Sequence, residues 1–159
     1  MSASERIEKM VQADWKKILV PVDFSPHCLP AVKLGQSLAQ KYGARLYLIH
    51  AVEMVYATGF EFASALPVEK DLLIHAGEEL KRVAKENLAP GLDYETVVRN
   101  GQAYRTVVDF AQEENVDLVL VTTHGYTGLK HLALGSVAER IVRHSKAPVL
   151  VVPVSENES

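Results

Sequence analysis

The sequence predicts an α/β protein built on a five-stranded parallel sheet with helices on both faces. Apolar runs and helical segments alternate along its 159 residues, which is typical of strand–helix–strand units in a single domain. The apolar runs are continuous rather than interrupted by polar residues, as expected for strands buried on both faces. Since such crossovers are right-handed, we expect the strand order 3-2-1-4-5, the common doubly wound solution for five strands.

The first half of the chain supplies two strands and the helix between them. Residues 18–22 form a continuous apolar run and predict the first strand. We expect Ser25 to cap the following helix, with Pro26 in its first turn, because these residue types favour a helix start. Gly43 predicts the end of that helix, and "RLYLIHAV" (45–52) predicts the second strand.

Beyond the second strand, the alternation continues to the end of the chain. Residues 53–66 show no sustained periodicity and predict a long, irregular connection. A strong apolar stripe then predicts a helix over 67–88. The remaining segments predict strands over 93–100, 116–123 and 147–154, and helices over 103–115 and 136–145.

The two ends of the chain fall outside the predicted domain, which we place at residues 15–154. Residues 1–14 are expected to form an N-terminal helical extension. Its apolar positions form a stripe that predicts packing on the core; they are Ile7, Met10, Val11 and, at the domain boundary, Trp15. The polar tail, residues 155–159, is expected to be disordered.

Composition argues against several classes of function. With a net charge of −3 and 7% aromatic residues, the chain has neither the positive charge nor the stacking groups of a nucleic-acid binder. No apolar run approaches the roughly 18 residues that a membrane span needs, and the charged N-terminus is unlike a signal peptide. Cys28 is the only cysteine, which fits a reducing compartment. We therefore expect a cytoplasmic protein with no nucleic-acid or membrane partner.

The strand order predicts where a ligand would bind. In doubly wound sheets the crevice lies at the carboxyl ends of the strands where the winding reverses, here between the first and fourth strands. The loop after the fourth strand carries Gly125 and Gly128, which allow backbone N–H groups to approach a ligand. Gly135, Ser136 and Val137 then open a helix, whose N-terminus attracts anions. Together these residues predict a phosphate cradle.

The ends of the first and second strands face this cradle across the predicted crevice. Asp23 follows the first strand, where its carboxylate can accept hydrogen bonds from a base or a ribose. The backbone of Pro21, Val22 and Ala51 is placed to line a pocket for the base. The sequence therefore predicts a nucleotide site with its phosphates on one side and its nucleoside on the other.

A purely structural interpretation of the same residues stays open. Ser136 and Glu139 fit the pattern of a capping box. On this interpretation the loop glycines turn the chain and have no role in binding a ligand. The segment lacks the GxxxxGK[ST] pattern of a P-loop, and no GxGxxG follows the first strand. The six histidines lie on separate elements without ligand spacing, so we predict no metal site built from protein ligands. No G-x-S-x-G pattern or other catalytic constellation is present in the sequence, so we predict no catalytic residues.

Three stretches resemble the universal stress protein family: "ILVPVDFS", "LIHAVE" and "THGYTGLKHLALGSVAERIVRHSKAPVLVV", which together extend over residues 16–153. The resemblance implies a Rossmann-like, adenine nucleotide alpha hydrolase-like fold and a role in stress response or signalling. The ATP-binding branch of the family carries G-x2-G-x9-G-[ST]. On this chain the pattern places its second glycine at Gly125, its third at Gly135 and its hydroxyl at Ser136. It also implies that Asp23 lies near the adenosine.

The first glycine of the family pattern is replaced here by Thr122. A β-branched side chain at that point can block a phosphate or donate a hydrogen bond to it. His124, two residues further on, is a candidate phosphate contact, and Mg²⁺ is expected to arrive with ATP. Three functions stay open: an ATP-binding stress protein, an interaction module with an empty crevice, and a weak ATP hydrolase.

The last strand predicts a homodimer. Residues Pro148 to Val154 are mostly apolar, yet the expected strand order leaves them at an edge of the sheet, where an apolar strand is normally covered. The same strand of a second copy, antiparallel across a two-fold axis, provides that cover. The family resemblance implies the same arrangement. Pro153 has no N–H group and is expected where the pairing ends.

Overall fold

The computed structural model describes residues 14–53, 62–123 and 134–154, with side chains from Glu69 onward in the second segment, and a few positions near the N-terminus. Within these residues, helices and strands alternate along the chain. The elements are β1 (Lys17–Pro21), a 3-10 turn (Pro26–Cys28), α1 (Leu29–Tyr42), β2 (Arg45–Val52), α2 (Phe62–Asn87), β3 (Tyr94–Asn100), α3 (Ala103–Glu113), β4 (Leu118–Thr122), α4 (Ser136–His144) and β5 (Val149–Val152).

The five strands form one sheet in the order β3-β2-β1-β4-β5, and all neighbouring strands are parallel. The predicted fold class and strand order are therefore confirmed. β1 is the central strand, since Leu19 pairs with Tyr47 of β2 on one side and with Val119 of β4 on the other. The winding reverses between β1 and β4, and β3 and β5 are the two edges.

Helices cover both faces of the sheet, which explains the continuous apolar runs. Ile18 and Val20 of β1 point into a core with residues of α1 and α2, whereas Leu19 points into a core with residues of α3 and α4. All three side chains are 0% exposed. Alternate residues of a strand face opposite sides, so a strand between two helical layers needs an apolar residue at every position.

Two glycines of the first helical segment have clear structural roles. Gly35 faces the sheet, where an added Cβ would lie 2.9 Å from the side chain of Val20 and 3.1 Å from that of Leu46. Only a residue without a side chain lets α1 pack at this distance. Gly43 ends α1 in the left-handed conformation with φ of 61°, as its position in the sequence predicts.

The start of the first helical segment differs from the prediction. Ser25 precedes the 3-10 turn, but its side chain makes no cap hydrogen bond there. Its hydroxyl instead donates to Oδ1 of Asp23 over 2.7 Å, and the α-helix begins only at Leu29. Ser25 therefore stabilises the loop after β1 rather than the N-terminus of α1.

Other boundaries also move by a few residues. α2 begins at Phe62, so the irregular connection is shorter than the predicted 53–66. β4 begins at Leu118 rather than at 116, because Asp117 is used at the strand entry: its carboxylate accepts from the amides of Lys16 and Lys17 at 2.7 and 2.9 Å. β5 occupies only Val149–Val152 of the predicted 147–154.

Part of the predicted N-terminal packing is visible. Trp15 packs edge-on against Tyr42, with ring centroids 5.1 Å apart, and contacts the core under α1 and α2. The limits of the domain and of the N-terminal extension stay predictions. Several predicted features lie outside the described residues: Ile7, Met10 and Val11 of the stripe, the tail 155–159, and His124, Gly125 and Gly128 of the loop after β4.

Candidate functional site

A cavity of about 240 Å³ lies at the carboxyl ends of β1 and β4, where the winding of the sheet reverses. It is bounded by the ends of three strands and by the N-terminal halves of α3 and α4. Its described lining consists of Pro21, Val22, Asp23, Cys28, Ile49, His50, Ala51, Ala103, Val107, Val121, Thr122, Gly135, Ser136, Val137, Ala138 and Ile141.

The structure brings the described candidate residues together around this one cavity. Those from the sequence are Pro21, Val22, Asp23, Ala51, Thr122, Gly135, Ser136 and Val137; His124 and Gly125 lie outside the described residues. Sequence reasoning missed the contribution of α3, represented by Ala103 and Val107. A signal for it existed, because the helix between β3 and β4 must also begin at the carboxyl edge of a parallel sheet.

The N-terminus of α4 opens onto the cavity without a side-chain cap. Gly135 is the N-cap residue and Ser136 the first helical residue, and because glycine has no side chain the N-cap position makes no cap hydrogen bond. The capping box of Ser136 with Glu139 is therefore not formed. The amide of Glu139 donates to the carbonyl of Gly135 over 2.8 Å, as in any first helical turn. The preceding N–H groups of α4 are left for an acceptor outside the helix.

The N-terminus of α3, which also borders the cavity, is already occupied. The amide of Ala103 donates to Oε1 of Glu53 over 2.6 Å. This carboxylate follows the end of β2 and places a negative charge at the positive end of the α3 dipole. Of the two helix N-termini at the cavity, α4 is therefore the one that can receive an anion.

Asp23 is fixed by the turn that follows β1. Its Oδ1 atom accepts from the amide of Ser25 at 3.0 Å and from the Ser25 hydroxyl at 2.7 Å. Between them, Phe24 has φ of 63°, a conformation that costs energy for a residue with a side chain. The bonds to Asp23 stabilise this strained turn, and they set the direction of the carboxylate at the cavity wall.

His50 supports the same turn from β2. Its Nδ1 atom lies 2.7 Å from the carbonyl oxygen of Val22 and donates to it, and its ring stacks on Phe24 with centroids 4.1 Å apart. The amide of Val22 donates to the carbonyl of Ile49 over 2.8 Å. Both backbone groups of Val22 are thus used within the protein. Val22 lines the cavity as an apolar wall, and its N–H group is not available to a base.

Ala51 is the residue whose backbone faces the open end of β1. The Ile49 carbonyl accepts from Val22, whereas the Val52 carbonyl accepts from Gly101 on the β3 side. Because backbone groups alternate along a strand, those of Ala51 point to the β1 side, beyond the last residue of β1. An N–H donor and a C=O acceptor therefore lie next to each other at the cavity.

Cys28 contributes a small, uncharged surface to the cavity. Its side chain is 4% exposed and its Sγ donates to the carbonyl of Ser25 over 3.1 Å. Burial, together with the nearby charge of Asp23, raises the pKa of the thiol to about 11. The thiol is therefore protonated at neutral pH, when it is a poor nucleophile.

Thr122 and Thr123 hold the base of the loop that follows β4. Thr122 is half-buried, lines the cavity and pairs with Val152 of β5. The carbonyl of Thr123 accepts from the amide of Gly135 over 2.8 Å, so the chain leaves and rejoins the sheet edge at almost the same point. The side chain that replaces the first pattern glycine thus stands at the cavity, as the sequence predicts.

The described part of the chain contains neither a cluster of metal-binding side chains nor a membrane-spanning helix. No group of three or more His, Cys, Asp or Glu side chains within it could hold a metal ion. None of the helices in the described ranges is long and apolar enough to cross a membrane.

Fold and site together define a doubly wound α/β domain with an open helix N-terminus at its switch point. The chain matches the model of the universal stress protein family over residues 14–153, and it belongs to that family. It is 34% identical over 145 residues to universal stress protein MJ0531 of Methanocaldococcus jannaschii, with 91% of this chain and 85% of that protein covered.

Solved structures agree with this assignment. The structure of MJ0577, from the same organism, superposes with a TM-score of 0.73 at 27% identity and covers 90% of this chain and 99% of its own. A universal stress protein in complex with cAMP superposes with a TM-score of 0.59 at 28% identity, covering 89% of this chain and 98% of that one.

Proposed function

We propose that this protein binds an adenine nucleotide, ATP with Mg²⁺, in the cavity between β1 and β4 and acts in stress response or signalling. One observation carries the proposal: the open N-terminus of α4 and the fixed carboxylate of Asp23 stand on the walls of the same cavity. The first suits phosphates and the second suits a ribose or base. A bound cAMP in a relative of 28% identity supports the proposal.

The base is assigned to the side of the cavity formed by β2 and α3. Ile49 and Val107 supply apolar surface there, and Ala51 supplies an adjacent backbone donor and acceptor. Adenine presents an amino donor beside a ring acceptor on its Watson–Crick edge, which matches that pair. Backbone recognition of this kind needs no polar side chain.

The phosphates are assigned to the start of α4. Gly135 has φ of −56° and ψ of 147°, and the exposed Ser136 follows it with its hydroxyl available for a phosphate oxygen. Mg²⁺ is placed with the phosphates rather than on protein ligands, because it binds phosphate oxygens and keeps several waters. The side chain of Thr122 narrows the space between the end of β4 and the phosphates. We therefore expect ATP to bind more weakly than it would with glycine at position 122.

Native mass spectrometry of the purified protein tests the proposal most directly. A copurifying mass of ATP, ADP or AMP supports nucleotide binding. A bare chain that also ignores added nucleotide supports the interaction module with an empty crevice. A phosphate-release assay separates binding from slow hydrolysis, for which the protonated Cys28 supplies no nucleophile.

We also propose that the protein is a homodimer through β5. The carbonyls of Pro148 and Val152 accept from β4, so alternation leaves the backbone groups of Val149 and Val151 on the open edge. Exposed apolar side chains flank this edge: Leu150 on β5 is 39% exposed and Val142 on α4 is 44% exposed. The β5 strand of a second copy, running antiparallel, would pair with the open backbone groups and cover both apolar side chains. We assign the dimer to the cytoplasm, which the single cysteine supports.

A further inference from the structure

A cluster of basic side chains surrounds one aromatic ring beside the cavity. Tyr104, the second residue of α3, has the guanidinium carbon of Arg140 5.3 Å and that of Arg105 5.9 Å from its ring centroid. The ring of His144 lies 5.6 Å away. Arg140 and His144 come from α4, so the ring joins the two helices that border the cavity. We call Tyr104, Arg105, Arg140 and His144 the Tyr104 cluster.

The two arginines of the Tyr104 cluster differ in their interaction partners. Nε of Arg105 donates to the Tyr104 hydroxyl over 3.0 Å, and Asp109 lies near its charge. Arg140 forms no ion pair with any carboxylate in the described part of the chain; its charge rests on the ring alone. By contrast, Arg143 on the same helix is paired with Glu139 at 2.7 Å. Arg140 is thus an ordered, exposed cation whose polar groups are left for a ligand.

The position of Arg140 connects it to the start of α4. It follows Ser136 by four residues, and residues at this spacing lie on the same face of a helix. Its guanidinium lies over the ring of Tyr104, so it stands between α4 and the first turn of α3, which borders the cavity. Tyr104, over which its guanidinium lies, comes directly after Ala103 on the cavity wall, and Ile141 directly after Arg140 is also on that wall.

The described lining of the cavity supplies little positive charge for a polyphosphate. Its described lining includes the carboxylate of Asp23 but no lysine or arginine. The chain has no P-loop lysine either, since the GxxxxGK[ST] pattern is missing. A helix N-terminus contributes only about half of a positive charge. The beta and gamma phosphates of ATP carry several negative charges, so a cationic side chain at the rim of the cavity would add to the charge that Mg²⁺ supplies.

We propose that Arg140, held in place by the ring of Tyr104, binds the phosphates that extend beyond the N-terminus of α4. This inference rests on the proposed nucleotide function and deepens it: the ligand is a nucleoside di- or triphosphate rather than a monophosphate. Arg140 is the primary contact, and Arg105 adds positive charge near the hydroxyl end of Tyr104. The planar guanidinium suits phosphate oxygens, which accept two parallel hydrogen bonds from it.

Calorimetric titration of adenosine, AMP, ADP and ATP tests the proposal, with Mg²⁺ and salt held constant. We expect Arg140→Gln to weaken ATP binding about tenfold, since it removes one charge-assisted contact. ADP should be affected less, and AMP and adenosine hardly at all. Lys81→Gln, which removes the same charge from the exposed face of α2, is the matched control and should leave all four affinities unchanged.

Variants of Tyr104 separate the ring from its hydroxyl. Tyr104→Phe keeps the platform for Arg140 and loses only the bond to Arg105, so it should bind ATP nearly as the wild type does. Tyr104→Leu removes the aromatic ring under Arg140 and should lower the affinity for ATP more than the affinity for adenosine. Arg140→Lys keeps the charge and should restore part of the ATP affinity, but not all, because the bidentate geometry is lost.

The outcomes distinguish failure of this inference from failure of the proposed function. If the wild type binds ATP and Arg140→Gln binds it equally well, the inference is wrong and the nucleotide site stands. Equal weakening of ATP and adenosine would also overturn it, because Arg140 would then act only by packing α3 against α4. If the wild-type protein binds none of the four ligands, the proposed function fails and the inference with it.

Discussion

The backbone amide of Ala103 donates to the carboxylate of Glu53 over 2.6 Å, which ties the end of β2 to the first residue of α3. The contact joins Glu53, at the end of β2, to a helix that begins about fifty residues later in the chain. We expect Glu53→Ala to lower the free energy of unfolding by about 1 kcal/mol, the usual contribution of a helix N-cap. Urea denaturation measures this value.

Glu53→Gln provides the control for that variant, because its amide oxygen can still accept from Ala103. It should lose less stability than Glu53→Ala. Equal losses in the two variants would show that the negative charge, and not the hydrogen bond, stabilises the start of α3.

ATP with Mg²⁺ should stabilise the folded protein. A ligand that binds only the native state adds about 2.7 kcal/mol at a concentration one hundred times its dissociation constant. Thermal unfolding with and without millimolar ATP reports the shift in melting temperature. Guanosine triphosphate is the control, because its base presents the opposite donor and acceptor to Ala51; an unchanged melting temperature with both ligands would contradict nucleotide binding.

Thr122→Gly should tighten ATP binding, because it removes a β-branched side chain that lines the cavity beside the phosphate position. Gly125→Val should abolish binding through bulk in the predicted cradle and leave a folded chain. Dissociation constants, compared with circular dichroism spectra, test both. Weaker binding by Thr122→Gly would mean that the hydroxyl donates to a phosphate, and normal binding by Gly125→Val would remove that residue from the site.

The protein should behave as a dimer in solution. Light scattering is expected to give about twice the 17.5 kDa mass of the chain at micromolar concentration. Charge at the β5 edge, introduced as Leu150→Asp with Val142→Lys, should shift the mass toward monomer because it places charged groups at the exposed side chains of the proposed apolar interface. A stable wild-type monomer would refute the dimer, and a dimer unaffected by these substitutions would move the interface away from β5.

Cys28 should make stability fall at alkaline pH. Because burial raises the pKa of its thiol from the usual 9.0 to about 11, the folded state holds the proton more tightly than the unfolded state. Stability is therefore complete below about pH 9 and declines as the pH rises toward 11, by roughly 2–3 kcal/mol for this group. Denaturation of wild type and Cys28→Ala at several pH values isolates the effect, and parallel profiles would contradict it.

The fold could be predicted from the sequence because the signals for it are local and repeated. Each continuous apolar run reports burial on both faces, and Gly43 marks the end of α1 through its own backbone angle. The positions of Asp23, Ala51 and Ser136 around one cavity then follow from the strand order. The hydrogen-bond partner of a polar side chain could not be predicted in this way where two partners were available.

Ser25 and Asp117 illustrate that limit. Ser25 could cap a helix or bond to Asp23, and the strained turn at Phe24 decides for Asp23. The sequence predicts Asp117 as the second residue of a strand. In the structure its carboxylate accepts hydrogen bonds from two backbone amides about one hundred residues earlier in the chain. Contacts at such separation leave no local pattern. The part that α3 takes in the cavity, by contrast, could have been inferred from the strand order.

The hydrogen bond from Gly135 to the carbonyl of Thr123 brings the end of β4 and the start of α4 to one point at the sheet edge. Because this bond anchors both ends of the connection between β4 and α4, we expect substitutions in the connection to leave these two elements in place, and the entropic cost of a longer connection grows only slowly. Evolution can therefore vary what this edge of the domain recognises while the sheet is preserved. Exchange of this connection between relatives offers the same freedom to protein engineering.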